Sequence, residues 1–207
     1  MLYQAYQTYA DASEPMRFMA RTAMAYTNMM PGFKALGFGR EISATLEMIS
    51  RTELTHTRPS YDIDRVKVGR KEFDVREETI LSLPFCNLVR FAKEGAPEQP
   101  KMLVVAPLSG HFSTLLRKTV ETLLRDHDVY ITDWKNARDV PWSVGPFGFD
   151  DYIEYVIRYI DTIGPDAHVL AVCQPCVQAL AAVAIMAEDR HKALPRSLTL
   201  MAGPVDT

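Results

Sequence analysis

His168-Val-Leu-Ala-Val-Cys173-Gln-Pro-Cys-Val177 reads as a buried strand that runs into a tight turn with a thiol at its tip. That is the pattern of a nucleophile elbow, a strained strand-to-helix turn that exposes the nucleophile and leaves the next backbone N–H facing the developing oxyanion. The usual signature is G-x-S-x-G, whereas the pentad here is Ala171-Val172-Cys173-Gln174-Pro175, with cysteine for serine and neither flanking glycine. The reading therefore depends on what surrounds the turn.

Around it, strands and helices alternate. Met102–Ala106 is a continuous apolar run suited to a central parallel strand, Phe112–Arg125 has helical spacing, and Val129–Ile131 is a further strand. Phe149, Tyr152, Ile153, Val156, Ile157, Ile160 and Ile163 recur at i, i+3, i+4, i+7, and Gly164-Pro165 ends that helix. Strand Val169–Val172, helix Val177–Glu188 and strand Leu198–Met201 follow. Alternation of this kind implies right-handed βαβ crossovers and a mostly parallel sheet covered on both faces, the α/β class. Upstream, Val66 and Val68, Phe73 and Val75, and Leu88, Val89 and Phe91 mark short strands or a hairpin.

The N-terminal segment differs. Pro15 is placed to start a helix over Met16–Met30, and Glu41–Arg51 reads as a second helix after Pro31, Gly32, Gly37 and Gly39. Seven of the ten methionines lie between Met1 and Met48, so this segment either packs on the rest of the protein or grips an apolar surface. The expected division is a helical segment, 1–60, and a partial α/β-hydrolase domain, 61–207. The chain ends at Gly203–Thr207, just past an expected strand, and so reads as part of a longer protein.

Composition narrows the function classes. A chain of 207 residues, 47% hydrophobic and 24% charged, suits a soluble globular domain. A formal net charge of −3 without blocks of like charge does not favour nucleic acid or an anionic membrane as partner. Three cysteines do not form a disulfide framework, and neither a secretory leader nor an apolar run of membrane-spanning length is visible, which points to the cytoplasm. The five histidines are scattered, against a zinc site, and no Walker loop occurs.

Thiol chemistry needs the thiolate, and Cys173 sits where the positive end of the next helix would favour it. The strand Met102–Ala106 ends in Pro107-Leu-Ser-Gly-His111, which occupies the place of the second oxyanion loop, so the donors would be the Gln174 N–H and that of Leu108 or Ser109. His111 lies in that loop as a structural or substrate-contacting group. Asp133-Trp134 ends the strand at Val129, on the edge where α/β sites collect, and the loop to Gly148 adds Trp142. These residues are substrate-contact candidates, the tryptophans equally suited to packing a lid. Two other readings stand: Cys173 as a small core residue, and Cys173-Gln-Pro-Cys176 as a C-x-x-C redox or metal motif.

Val104-Val-Ala-Pro-Leu-Ser-Gly-His-Phe112, Tyr130-Ile-Thr-Asp-Trp134, Phe149-Asp-Asp-Tyr-Ile153 and Val172-Cys-Gln-Pro175 together resemble the intracellular polyhydroxyalkanoate (polyhydroxybutyrate) depolymerases over nearly the whole chain. The resemblance implies an α/β-hydrolase fold, Cys173 as nucleophile, and hydrolysis of storage polyester to 3-hydroxybutyrate oligomers or monomer at or near the polymer granule, with neither metal nor cofactor. The aspartate and histidine partners lie further towards the C-terminus in family members, beyond the residues here. The related polyester synthases also use an elbow cysteine but keep glycines around it, where this chain has Ala171 and Pro175. A granule-binding module without hydrolysis is the remaining alternative.

Overall fold

In a computed structural model, residues 2–30, 32–52, 58–108 and 112–205 are described. The chain divides into two units, Met1–Thr57 and Arg58–Thr207.

The first unit holds helices α1 (Leu2–Met29) and α2 (Gly37–Ser50). Pro15 does not start a helix as its position suggests; it lies inside α1. Proline removes one helix hydrogen bond and crowds the preceding turn. Two residues of the same stretch tie side chains to the backbone before the proline: the Ala10 carbonyl accepts from Arg17 Nη2 at 2.7 Å and from Ser13 Oγ at 3.2 Å. Arg17 is only 2% exposed and also pairs with Glu14 at 2.8 Å.

The second unit is built on a seven-stranded sheet: β1 (Arg65–Val68), β2 (Lys71–Ser82), β3 (Cys86–Lys93), β4 (Lys101–Val105), β5 (Asp128–Trp134), β6 (His168–Val172) and β7 (Ser197–Met201), in spatial order β1-β2-β3-β5-β4-β6-β7. The first three strands form an antiparallel meander and β3 pairs antiparallel with β5, while β5, β4, β6 and β7 are mutually parallel. Helix α3 (Arg117–Leu123) links β4 to β5, α4 (Phe149–Ile163) links β5 to β6, and α5 (Cys176–Glu188) links β6 to β7. The observed architecture is a mostly parallel mixed sheet flanked by helices, the α/β arrangement expected from the alternating pattern.

Two apolar layers show why β4 is hydrophobic from Met102 onward. Its side chains alternate across the pleat, so Leu103 and Val105 join the layer under α4 and α5. Val104 and Ala106 join the layer under α3, with Val120 and Leu124. Both faces of the strand are covered, and no polar alternation survives. Helix α4 turns Tyr152, Val156, Tyr159, Ile160 and Ile163 inward, as its spacing requires. It starts where Asp151 accepts the Gly148 N–H at 2.7 Å. It stops at Gly164, whose φ of +86° suits a residue without Cβ.

Strand β4 has β5 on one side and β6 on the other, so the chain's progression through the sheet reverses here. In open α/β sheets, ligands bind outside the carboxyl ends of the strands at such a switch point.

Candidate active site

Cys173 leaves the carboxyl end of β6 with φ of +67°, in the left-handed region. A non-glycine residue there costs about 1–2 kcal/mol, and strain of this kind collects at functional sites. Backbone bonds hold the turn. The Cys173 N–H donates to the Met201 carbonyl at 2.8 Å, the Cys176 N–H donates to Cys173 O at 3.1 Å, and the Ala179 N–H donates to Pro175 O at 2.9 Å as α5 begins.

The two cysteines of the turn have different fates. Cys173 is exposed, whereas Cys176 is buried with its Sγ 3.4 Å from the Ala171 carbonyl oxygen and 3.7 Å from that of Met201. Cys176 thus packs beneath the elbow, and Cys173 is the thiol open to solvent.

The oxyanion candidates stand beside it. The β4–β6 register ends at Val105↔Ala171, so two residues further on Pro107 and Cys173 leave adjacent parallel strands together. Among the described residues, neither the Gln174 N–H nor the Leu108 N–H donates to a backbone carbonyl. Ser109 and His111 lie outside the described residues.

The candidates on β5 and the loop after it separate sharply. Trp142 is 98% exposed, while Trp134 is only 4% exposed and packs against Tyr152, Phe147 and Tyr155 with ring centroids 4.5, 5.7 and 6.5 Å away. The Trp134 Nε1–H donates to the Ala106 carbonyl at 2.9 Å, so this ring is part of the wall and not of the substrate surface. Asp133 is likewise enclosed, at 6% exposure: it accepts a hydrogen bond from Ser113 Oγ and forms an ion pair with Arg58 Nε at 2.7 Å. Such partners offset the desolvation of a buried carboxylate. Arg58 also reaches Glu77 at 2.8 Å and lies 5.1 Å from the centre of the Tyr61 ring.

The sequence pattern singles out Asp133 and Trp134 but not Arg58, Thr132, Ser113 or Tyr152, which surround the same corner of the sheet. Arg58 and Ser113 are far from Asp133 along the chain, and no local pattern joins residues so widely separated.

The described histidines lie elsewhere. His127 precedes β5, His168 opens β6 with Nδ1 2.7 Å from Ser197 Oγ, and His191 lies in the connection to β7, all on the amino edge of the sheet. His168 and Cys173 are separated by the length of β6, about 13–16 Å at strand rise. Among the described residues, no histidine stands at the elbow, and no group of three His, Cys, Asp or Glu side chains could hold a metal ion. No helix there is long and apolar enough to cross a membrane.

No protein-family model matches the chain, and no curated protein does. Among solved structures it is similar to one described as "a putative esterase from Staphylococcus aureus", with 15% sequence identity and a TM-score of 0.41 over 86% of this chain and 57% of that one. The chain therefore spans little more than half the length of that structure.

Proposed function

We propose that this chain carries the nucleophile side of an ester hydrolase, and specifically of a polyhydroxyalkanoate depolymerase. The observation that carries the reading is the exposed Cys173 at φ +67° on the carboxyl edge of the sheet, next to the segment that follows β4. The Cys173 thiolate adds to an ester carbonyl, and the oxyanion is met by the N–H groups of Gln174 and Leu108. Collapse breaks the acyl–oxygen bond, the leaving alkoxide takes up the proton that the thiol gave to its histidine base, and water then hydrolyses the thioester to the hydroxyacid. A histidine outside the described residues would activate the thiol and then the water, oriented by an aspartate. The polyester as substrate rests on the four sequence segments that resemble the depolymerases.

Exposed apolar side chains on α1, among them Met16, Phe18, Met19, Tyr26 and Met29, favour attachment of the helical unit to an apolar polymer surface inside the cell. Serine at Phe18 and Met19 should lower co-sedimentation with polymer granules while leaving soluble-ester hydrolysis intact.

The decisive experiment is polyhydroxybutyrate hydrolysis by the full-length protein. Cys173→Ala should abolish it and Cys176→Ala should retain most of it; the opposite pattern overturns the assignment. Release of CoA with chain growth from 3-hydroxybutyryl-CoA would identify a synthase instead.

A further inference from the structure

We infer that Thr132-Asp133-Trp134 is a positioning clamp that sets the oxyanion side of the site, an inference that rests on the hydrolase reading above. The backbone ladder between β4 and β5 runs from Lys101↔Asp128 to Val104↔Ile131. Beyond it, side chains take over. The Ala106 N–H donates to Thr132 Oγ1 at 2.9 Å, and the Ala106 carbonyl accepts from Trp134 Nε1 at 2.9 Å and from Tyr152 Oη at 3.3 Å. Both backbone groups of Ala106, two residues before Leu108, are thereby fixed by β5 and α4.

The residue between them works on the other side of the pleat. Successive strand side chains point to opposite faces, so Asp133 projects away from Thr132 and Trp134. There it accepts from Ser113 Oγ, just after the segment that follows β4. Ser113 is 1% exposed, and the Arg58 guanidinium balances the buried carboxylate. Three consecutive residues of one strand therefore grip Ala106 on one face of the sheet and Ser113 on the other, at the two ends of the segment 107–112. Replacing ladder bonds with side-chain bonds lets the chain leave the strand after Ala106 while keeping its departure point rigid. A preorganised donor depends on such support, because a small displacement of Leu108 N–H weakens its bond to a developing oxyanion.

This role differs from simple packing in a measurable way. Addition of the Cys173 thiolate to an ester carbonyl creates an oxyanion, whereas alkylation by iodoacetamide displaces iodide from an sp³ carbon and creates none. In the full-length protein, Thr132→Val removes the acceptor with little change of volume. It should slow acylation of Cys173 by p-nitrophenyl butyrate by about 10- to 100-fold, a fraction of what losing a whole oxyanion donor costs. Alkylation of Cys173 should stay within about twofold, and Thr132→Ser should restore acylation. Ser113→Ala should behave like Thr132→Val. Unchanged acylation, or equal loss of acylation and alkylation, overturns the clamp. If the wild-type thiol is alkylated but never acylated, the hydrolase reading fails, and hydrogen exchange in peptides spanning 106–113 then decides the clamp. Faster exchange in Thr132→Val supports it, and unchanged exchange overturns it.

Discussion

Gly203 backs directly onto Cys176: a Cβ built on Gly203 would overlap the Cβ and Sγ of Cys176 and come within 2.8 Å of the Cys173 carbonyl oxygen. The elbow is thus closed from below by a residue much later in the chain, just past β7, the strand whose Met201 carbonyl accepts the Cys173 N–H. Gly203→Ala is expected to cost about 1–3 kcal/mol, the range for overpacking a tight site. Thermal unfolding should shift down by roughly 2–12 °C in a chain of this size. A wild-type melting temperature would show that the contact relaxes freely.

Strain at the nucleophile predicts a trade between activity and stability. Cys173 holds a left-handed φ of +67°. Cys173→Gly removes the Cβ that makes this conformation costly, whereas Cys173→Ala keeps it. Both variants should lose ester hydrolysis, yet the glycine variant should be up to about 1 kcal/mol more stable than the alanine variant, because left-handed backbone suits glycine. Denaturant midpoints compared at equal slope provide the check. Equal stabilities would mean that the turn relaxes once the sulfur is gone.

The two tryptophans should respond oppositely to truncation. The Trp142 ring is 98% exposed. Removing it in Trp142→Ala should change stability by no more than about 0.5 kcal/mol. Trp134, by contrast, sits among Tyr152, Phe147 and Tyr155 and donates to Ala106. Trp134→Ala leaves a cavity and strips that hydrogen bond, so a loss of about 3–5 kcal/mol is expected. If Trp142 touches polymer, its alanine variant should hydrolyse granules more slowly than wild type while hydrolysing soluble esters at the same rate.

Alkaline pH should destabilise the fold. Burial pushes the hydroxyls of Tyr61, Tyr152 and Tyr159 well above the usual tyrosine value of 10.0, and Tyr130 up to about 12. The unfolded chain gives up these protons near pH 10, while the folded chain holds them neutral. Their contribution is therefore fully present below about pH 10 and is lost as pH rises through the raised values. Circular dichroism and tyrosinate absorbance recorded together from about pH 8 to about pH 12.5 should show the buried tyrosines ionising as structure is lost. Complete tyrosinate formation in a fully folded protein would contradict this.

Much of this protein is determined by its sequence alone. The doubly covered run at β4, the inward stripe of α4 and the strand-turn-helix around Cys173 are short-range patterns: apolar period reports which faces are buried, and breakers report where elements end. Local pattern did not decide Pro15, where propensity favours a helix start but the helix runs through. Nor did it separate the tryptophans, since an aromatic residue in a loop reads the same whether it faces water or a core. Only the tertiary structure turned Trp134 inward, joined Asp133 to Arg58 and Ser113, and set Gly203 against Cys176. Those relationships come from the sheet order, which lays β5 and β6 on either side of β4 and brings distant segments to one edge. A sequence encodes such contacts through packing of the whole chain, and no window of neighbouring residues contains them.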